Sequence, residues 1–271
     1  MYNDMNSRFL KLAHTMTTAL LLAACSQNEF SDGQGEPLPE GKFPLEISSV
    51  TMSVESSSEP WSANAPQTRV AENADGNSSV WQNGDKINVQ IGNGTPGTYT
   101  YNDGNLTVTE GDTPAYWANK DDNQTITAWY TNPDYTNGNN VTLSDQTKDL
   151  AYAITAQTTA NFNQQVSLTF SHKLAQVRVE LAGEMASLTD NVIIKSYTTC
   201  TLTQGTLGNG ANEGEIKMHK VSDRIFEANV CADYQITDFK VDNGTWNTLT
   251  ASVTPEAGKC HKISNSNNFK M

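Results

Sequence analysis

Cysteine and histidine, the residues best suited to nucleophilic or metal chemistry, are few and widely spaced in this chain. Three cysteines lie in its C-terminal third, at Cys200, Cys231 and Cys260, and no two of them form the CxxC spacing of a zinc or redox site. The sequence also lacks the HExxH, GxSxG and P-loop motifs, which accompany metal, serine and nucleotide chemistry. It therefore predicts no catalytic residue, no metal site and no cofactor.

The three C-terminal cysteines permit at most one disulfide among themselves, and their spacing leaves open which pair would form it. A cysteine that stays unpaired is best explained as a small buried apolar residue. A glycosidase would instead need two carboxylates about 5–10 Å apart in a cleft, and no local pattern of acidic residues indicates such a pair. We therefore expect a protein that is not an enzyme.

The fourth cysteine, Cys25, lies in a segment that predicts export and lipid attachment. Arg8 and Lys11 precede a short apolar run that ends in Leu22-Ala23-Ala24-Cys25, and a basic start followed by a short apolar run is typical of a secretory signal. The last four residues resemble a bacterial lipobox, which implies a signal peptide over residues 1–24, cleavage before Cys25 and acylation of that cysteine. Several acyl chains on one residue anchor a protein stably to a membrane.

Composition excludes one large class of partners and favours exposure at a surface. The formal net charge is −13, whereas nucleic-acid binding requires a basic face for the phosphates. Residues 26–42 are rich in Gly, Pro and acidic side chains, so we expect residues 25–42 to form a flexible tether between lipid and fold. The predicted location is the cell surface, on a lipid anchor in the outer membrane.

The elements that carry any function are predicted to be strands. Residues 45–54 alternate with apolar side chains on both faces, which is typical of a strand covered on both sides. Residues 55–79 have the composition of a long polar loop. From residue 81 onward, alternating segments are separated by turn signals every ~8–12 residues, the spacing of a sandwich or barrel. We predict an all-β protein with two β-sandwiches in series, over residues 43–181 and 182–271.

Four features, in order along the chain, resemble one known family. They are the lipobox Cys25; Thr68-Arg69 followed by Trp81-x-x-Gly84-Asp85-x-Ile87-x-Val89; Phe170-x-His172-x-Leu174-Ala175-x-Val177-x-Val179-x-Leu181; and Ala257-Gly258-Lys259. Over roughly residues 40–265 the chain is similar to the fimbrillin-like lipoproteins of Gram-negative anaerobes, which build or decorate type V pili. The resemblance implies two transthyretin-like β-sandwich domains and a role in fimbriae and adhesion.

The same resemblance implies a route of assembly. Pilins of the family lose an N-terminal segment to an Arg-specific protease, and a strand donated by a neighbouring subunit fills the gap. Arg69 is the candidate processing site, because it lies in a long polar loop of the kind that proteases cut. Cleavage there would release the strand at residues 45–54. The alternative is that Arg69 is an ordinary loop arginine and the first strand stays, as in an anchor, tip or accessory subunit that keeps its lipid.

A second function stays open at this stage. An outer-membrane lipoprotein could bind a glycan or a host protein through its loops without polymerising. Glycan binders use exposed aromatic side chains, and the candidates are Trp81, Trp117, Trp129 and Trp246. Trp117 is the best exposed candidate, because it falls between predicted strands, although packing in the core or at its rim is the favoured interpretation for all four.

Overall fold

The computed structural model describes residues 38–53, 70–72, 79–181 and 190–265. Within them the chain is almost entirely β-structure, with one short 3-10 helix at Pro133–Tyr135. The all-β prediction is therefore confirmed. The predicted signal peptide, most of the tether and Arg69 lie outside the described residues.

Twenty strands are formed by the described residues, and most are short. They are β1 (Ile47–Met52), β2 (Val70–Glu72), β3 (Ser79–Trp81), β4 (Lys86–Ile91), β5 (Gly97–Asn102), β6 (Asn105–Val108), β7 (Gln124–Thr131), β8 (Thr136–Asn137), β9 (Asn140–Thr142), β10 (Ala153–Ala160), β11 (Val166–His172), β12 (Ala175–Leu181), β13 (Val192–Thr203), β14 (Thr206–Leu207), β15 (Ala211–Lys217), β16 (His219–Lys220), β17 (Ile225–Val230), β18 (Ile236–Val241), β19 (Asn247–Val253) and β20 (Cys260–Asn265).

The first sheet has the strand order β1-β11-β10-β7-β4-β5-β6. Its strands alternate as the sequence predicts; in β7, for example, Ile126, Ala128 and Tyr130 are buried and the residues between them are less so. Together with Trp81 of β3, which pairs with β2 in a separate two-stranded sheet, the inward side chains build the first core. It includes Ile87, Val89, Tyr99, Ile126, Ala128, Tyr130, Leu168 and Phe170. Strand β1 at one edge also approaches β6 at the other, so the sheet curls toward closure.

A tight turn joins β5 to β6, and it has the geometry that its residues predict. Asn102 pairs with Asn105 across the turn, while Asp103 and Gly104 both have positive φ, 48° and 90°. Two consecutive positive φ values define the hairpin turn whose twist matches that of the strands, and Asn, Asp and Gly tolerate it best.

The second core lies between two further sheets. One has the order β16-β17-β12-β20, and the other has the order β19-β18-β13-β9-β8, with β14 and β15 also paired to β13. Its buried side chains include Leu143, Val177, Val179, Val192, Ile194, Cys200, Phe226, Ala228, Cys231 and Phe239. Two sheets that face each other across an apolar layer form a sandwich.

Strand β12 differs from the expectation that it belongs with the N-terminal strands. It pairs antiparallel with β17 and parallel with β20, and its inward residues Val177 and Val179 lie in the second core. Only two residues separate it from β11, and alternation predicts which side chains are buried but not which sheet a strand joins. The division of the chain into domains at residues 43–181 and 182–271 stays a prediction.

Candidate functional site

The two residues predicted to be modified, Cys25 and Arg69, lie outside the described residues, so lipidation and processing stay predictions. In the parts of the chain that are described, no group of three metal-binding side chains comes together. No helix among those parts is long and apolar enough to cross a membrane.

Trp117, expected to be the most exposed aromatic, is only 4% exposed and packs in the first core, so it provides no stacking platform for a sugar ring.

The strand predicted to leave the fold, β1, lies at the edge of the first sheet and pairs with β11. The pairing is parallel, with Val50 opposite Leu168 and Met52 opposite Phe170, in a sheet whose other strand pairs are antiparallel. An edge strand has only one neighbour, so only one row of main-chain hydrogen bonds holds it.

A β-bulge brings the apolar residues that were predicted to lie on two faces of this strand onto one face. The register shifts between Ile47 and Ser49, and one extra residue turns the following side chains to the opposite face. As a result Ile47, Val50 and Met52 all pack against the first core, each partly buried. The strand is therefore covered on one side, and the prediction that both sides are covered is wrong.

The exposed side of β1 is held by small hydroxyl groups. The Ser48 hydroxyl donates to the carbonyl of Val166 at 2.7 Å, and the hydroxyls of Thr51 and Thr169 are 3.2 Å apart. Beyond the end of β1, the Ser53 amide donates to the carbonyl of Phe170 at 2.7 Å. Most of these bonds use the backbone of β11, so any strand of similar shape could replace them.

The chain before β1 is attached to the segment that precedes β7. Hydrogen bonds join Leu38 to Ala118 at 2.9 Å and Leu45 to Ala115 at 2.8 Å, and Leu45 is only 2% exposed. We call residues 38–53 the N-terminal arm. A release of β1 by a cut after Arg69 would remove the whole arm, including its buried leucines.

One polar side chain of the first core holds the arm from inside. The hydroxyl of Tyr99 donates to the carbonyl of Leu45 at 3.2 Å and accepts from the amide of Ala115 at 3.2 Å. Burial raises the pKa of Tyr99 to about 12, against a smaller opposing effect of the Ala115 hydrogen bond. Periodicity places Tyr99 in the core, but the pattern alone gives no signal of this contact across the arm.

The raised pKa of Tyr99 should make the stability of the fold depend on pH in the alkaline range. Its pKa is about 12 in the fold and about 10 in an unfolded chain. The unfolded state therefore loses its proton first, and the free energy of unfolding should fall as pH rises from about 10 to about 12. In urea titrations, Tyr99→Phe should be about 1 kcal/mol less stable at pH 7, because the hydroxyl bonds are lost, but should lose less stability above pH 10. Parallel curves for the two proteins would contradict this assignment.

Next to the arm lies an open cavity of about 500 Å³, lined by Phe43, Ile47, Trp117, Phe162 and neighbouring polar residues. Phe43 and Phe162 meet edge to face with their ring centroids 5.4 Å apart. The arm around Phe43 and Ile47 therefore lies beside an open space with both aromatic and polar walls.

The second, third and fourth of the sequence features that suggested a family contact one another, and the first, Cys25, lies outside the described residues. Trp81 packs edge to face on Phe170, with ring centroids 4.9 Å apart, and so joins the second feature to the third. The amide of Gly258 donates to the carbonyl of Leu174 at 3.0 Å, and joins the fourth feature to the third. These residues therefore have a structural role, because they connect strands that are distant in the sequence.

Comparison with known proteins agrees with these contacts. A family model described as fimbrillin-like matches residues 68–266, well over half of the chain. No curated protein sequence matches significantly. A solved structure of a candidate cell adhesion protein from Bacteroides ovatus is 16% identical with a TM-score of 0.54, covering 82% of this chain and 91% of that one. Another, from Bacteroides uniformis, is 20% identical with a TM-score of 0.50, covering 69% and 88%. At these identities the structures share the fold, and the family model carries the assignment: the chain belongs to the fimbrillin-like family.

Proposed function

We propose that the protein is a fimbrial subunit at the cell surface that works in adhesion and assembles by β-strand exchange. Membership of the fimbrillin-like family supports the fimbrial role. The observation that carries the mode of assembly is β1, a partly buried edge strand that pairs with a single neighbour. Its partners in the filament are other fimbrial subunits.

Processing after Arg69 would convert this edge into an acceptor groove. Loss of the arm would leave the main-chain groups of β11 that face β1 unpaired, and would uncover the β1 side of Phe170, a fully buried residue opposite Met52. An exposed strand edge with apolar side chains along it is a template for another strand. The region matched by the family model begins at Thr68, next to this site.

A strand from a second subunit would restore both kinds of contact. Its backbone would pair with β11, and apolar residues spaced like Val50 and Met52 would cover the core. A subunit that accepts at one end and donates at the other makes a head-to-tail contact that does not close, and such contacts build filaments. Before processing, acylated Cys25 and the part of the predicted tether that precedes the arm would hold the chain at the outer membrane. The last residues predicted for the tether, 38–42, belong instead to the arm, where Leu38 is buried and bonded to Ala118.

The experiment uses the full chain expressed at the surface of a Gram-negative anaerobe that makes fimbriae. Wild type, Arg69→Ala and Arg224→Ala are compared by intact mass, N-terminal sequence and laddering on mildly denaturing gels. Arg224 is the control, because it is an exposed arginine just before β17. We expect wild type and Arg224→Ala to begin at Val70 and to form ladders, and Arg69→Ala to keep its lipid and stay monomeric.

The opposite result would identify a subunit that is not processed. If the wild-type chain begins at acylated Cys25, retains residues 45–54 and forms no ladder, strand exchange by this subunit is overturned. Capture of partner pilins by that lipidated chain would then identify an anchor or accessory subunit. If the lipidated chain captured no partner pilin, the protein would be a surface binder that does not polymerise.

A further inference from the structure

Two of the three C-terminal cysteines meet inside the second core. Cys200 lies in β13, and Cys231 follows directly after β17, the strand in the facing sheet. Each is 2% exposed and surrounded by the apolar residues of that core. The two side chains therefore approach each other across the sandwich, from opposite sheets.

The structure brings the thiol of Cys231 to the backbone beside Cys200. The thiol of Cys231 lies 3.9 Å from the carbonyl oxygen of Thr199, the residue before Cys200. Both are free thiols in the structure. Cys260 is different, because its sulfur donates to Gln176 Oε1 at 3.2 Å, across the pairing of β12 with β20.

We propose that Cys200 and Cys231 form a disulfide in the exported protein, and that Cys260 remains a thiol. Proteins outside the cytoplasm meet an oxidising environment in which such a pair is stable. The bond would join the two sheets of the second sandwich covalently and close the loop of residues 201–230. A closed loop of this length restricts the unfolded chain and so stabilises the fold.

The oxidation balances with an oxidised thiol–disulfide oxidoreductase as the electron acceptor. One thiolate attacks the disulfide of that enzyme and releases its first thiolate; the second cysteine then attacks the mixed disulfide and releases the second. Overall, two thiols lose two protons and two electrons, and the enzyme disulfide becomes a dithiol. Because both sulfurs are buried in the fold, the exchange must occur before the sandwich closes.

Peptide mapping tests the proposal, because trypsin separates the three cysteines. Cleavage at Lys and Arg places them in the peptides 196–217, 225–240 and 260–262. The full chain is recovered from the cell surface, free thiols are alkylated under denaturing conditions, and the digest is analysed without reduction. We expect 196–217 linked to 225–240, with the two hydrogens of the thiols missing from the mass, and 260–262 alkylated.

Variants give an independent readout. Cys200→Ser and Cys231→Ser should each lower the melting temperature by several degrees. Reduction of the wild-type protein by dithiothreitol in denaturant should lower its melting temperature by a similar amount. Cys260→Ser is the control, since its melting temperature should keep the same sensitivity to reductant. Quantitative alkylation of both Cys200 and Cys231 in the protein from the cell surface, or a link from either to Cys260, would overturn the proposal. Neither outcome depends on whether Arg69 is processed.

Discussion

Replacing Arg178 by methionine is expected to lower the free energy of unfolding by about 3–5 kcal/mol, because it leaves a buried carboxylate without its partner. Arg178 and Glu227 lie directly opposite each other on β12 and β17, and their side chains are 5% and 1% exposed. The Arg178 Nε lies 2.6 Å from Glu227 Oε1, and Gln176 donates to the other carboxylate oxygen at 3.2 Å.

Two controls separate this effect from a general loss of charge. The double variant Arg178→Met with Glu227→Met should recover most of the stability, because it removes both buried charges together. Lys217→Met breaks an ion pair with Asp145 in which both side chains are about half exposed, and should cost less than about 1 kcal/mol. Urea unfolding at neutral pH measures all three. A double variant as unstable as Arg178→Met alone would show that packing rather than the lone carboxylate sets the cost.

The ion pair also bears on which arginine a protease can reach. Arg178 is 4% exposed and lies in the middle of a paired strand, so the folded protein protects it. Arg224 is exposed and lies before β17, so its position alone does not protect it. The polar composition of the residues around Arg69 favours that site, and the Arg224→Ala control in the processing experiment distinguishes the two sites.

Local patterns predicted the strands well, and contacts between distant strands were the part they could not predict. Alternation placed Ile126, Ala128 and Tyr130 on one face, and an Asn-Asp-Gly-Asn turn placed the hairpin of β5 and β6, because both are set by neighbouring residues. Which sheet β12 joins depends on β17 and β20, which lie some fifty to eighty residues later. No period in residues 175–181 contains that information.

The candidate site was predicted in outline and missed in detail for the same reason. Residues 45–54 form the first strand, as expected, but the bulge before Ser49 breaks the two-residue period on which the two-sided interpretation was based. The hold of Tyr99 on Leu45 joins residues that are far apart in the chain. The meeting of Cys200 and Cys231 likewise depends on two sheets packing face to face, so spacing left the pairing open.

Phe170→Ala should destabilise the first core by about 3–5 kcal/mol, the usual cost of removing a fully buried phenyl ring. Phe170 has no exposed surface, packs on Trp81 and lies opposite Met52 of the arm.

The destabilisation by Phe170→Ala should appear first at the arm, because the cavity would open next to β1. This strand has a single neighbour in the sheet and packs against the core through partly buried side chains. Thr125→Ala is the matched control: Thr125 precedes the buried Ile126 on β7, is exposed and lies on a strand that does not pair with β1, so its loss should stay within about 1 kcal/mol. Urea unfolding measures the global effect, and hydrogen exchange at residues 47–53 measures the local one. If strand exchange operates, a weaker hold on the arm should also speed its replacement by a donor strand. Equal exchange at residues 47–53 in both variants would mean that the core beneath β1 does not control its release, and that the hydrogen bonds to β11 alone retain it.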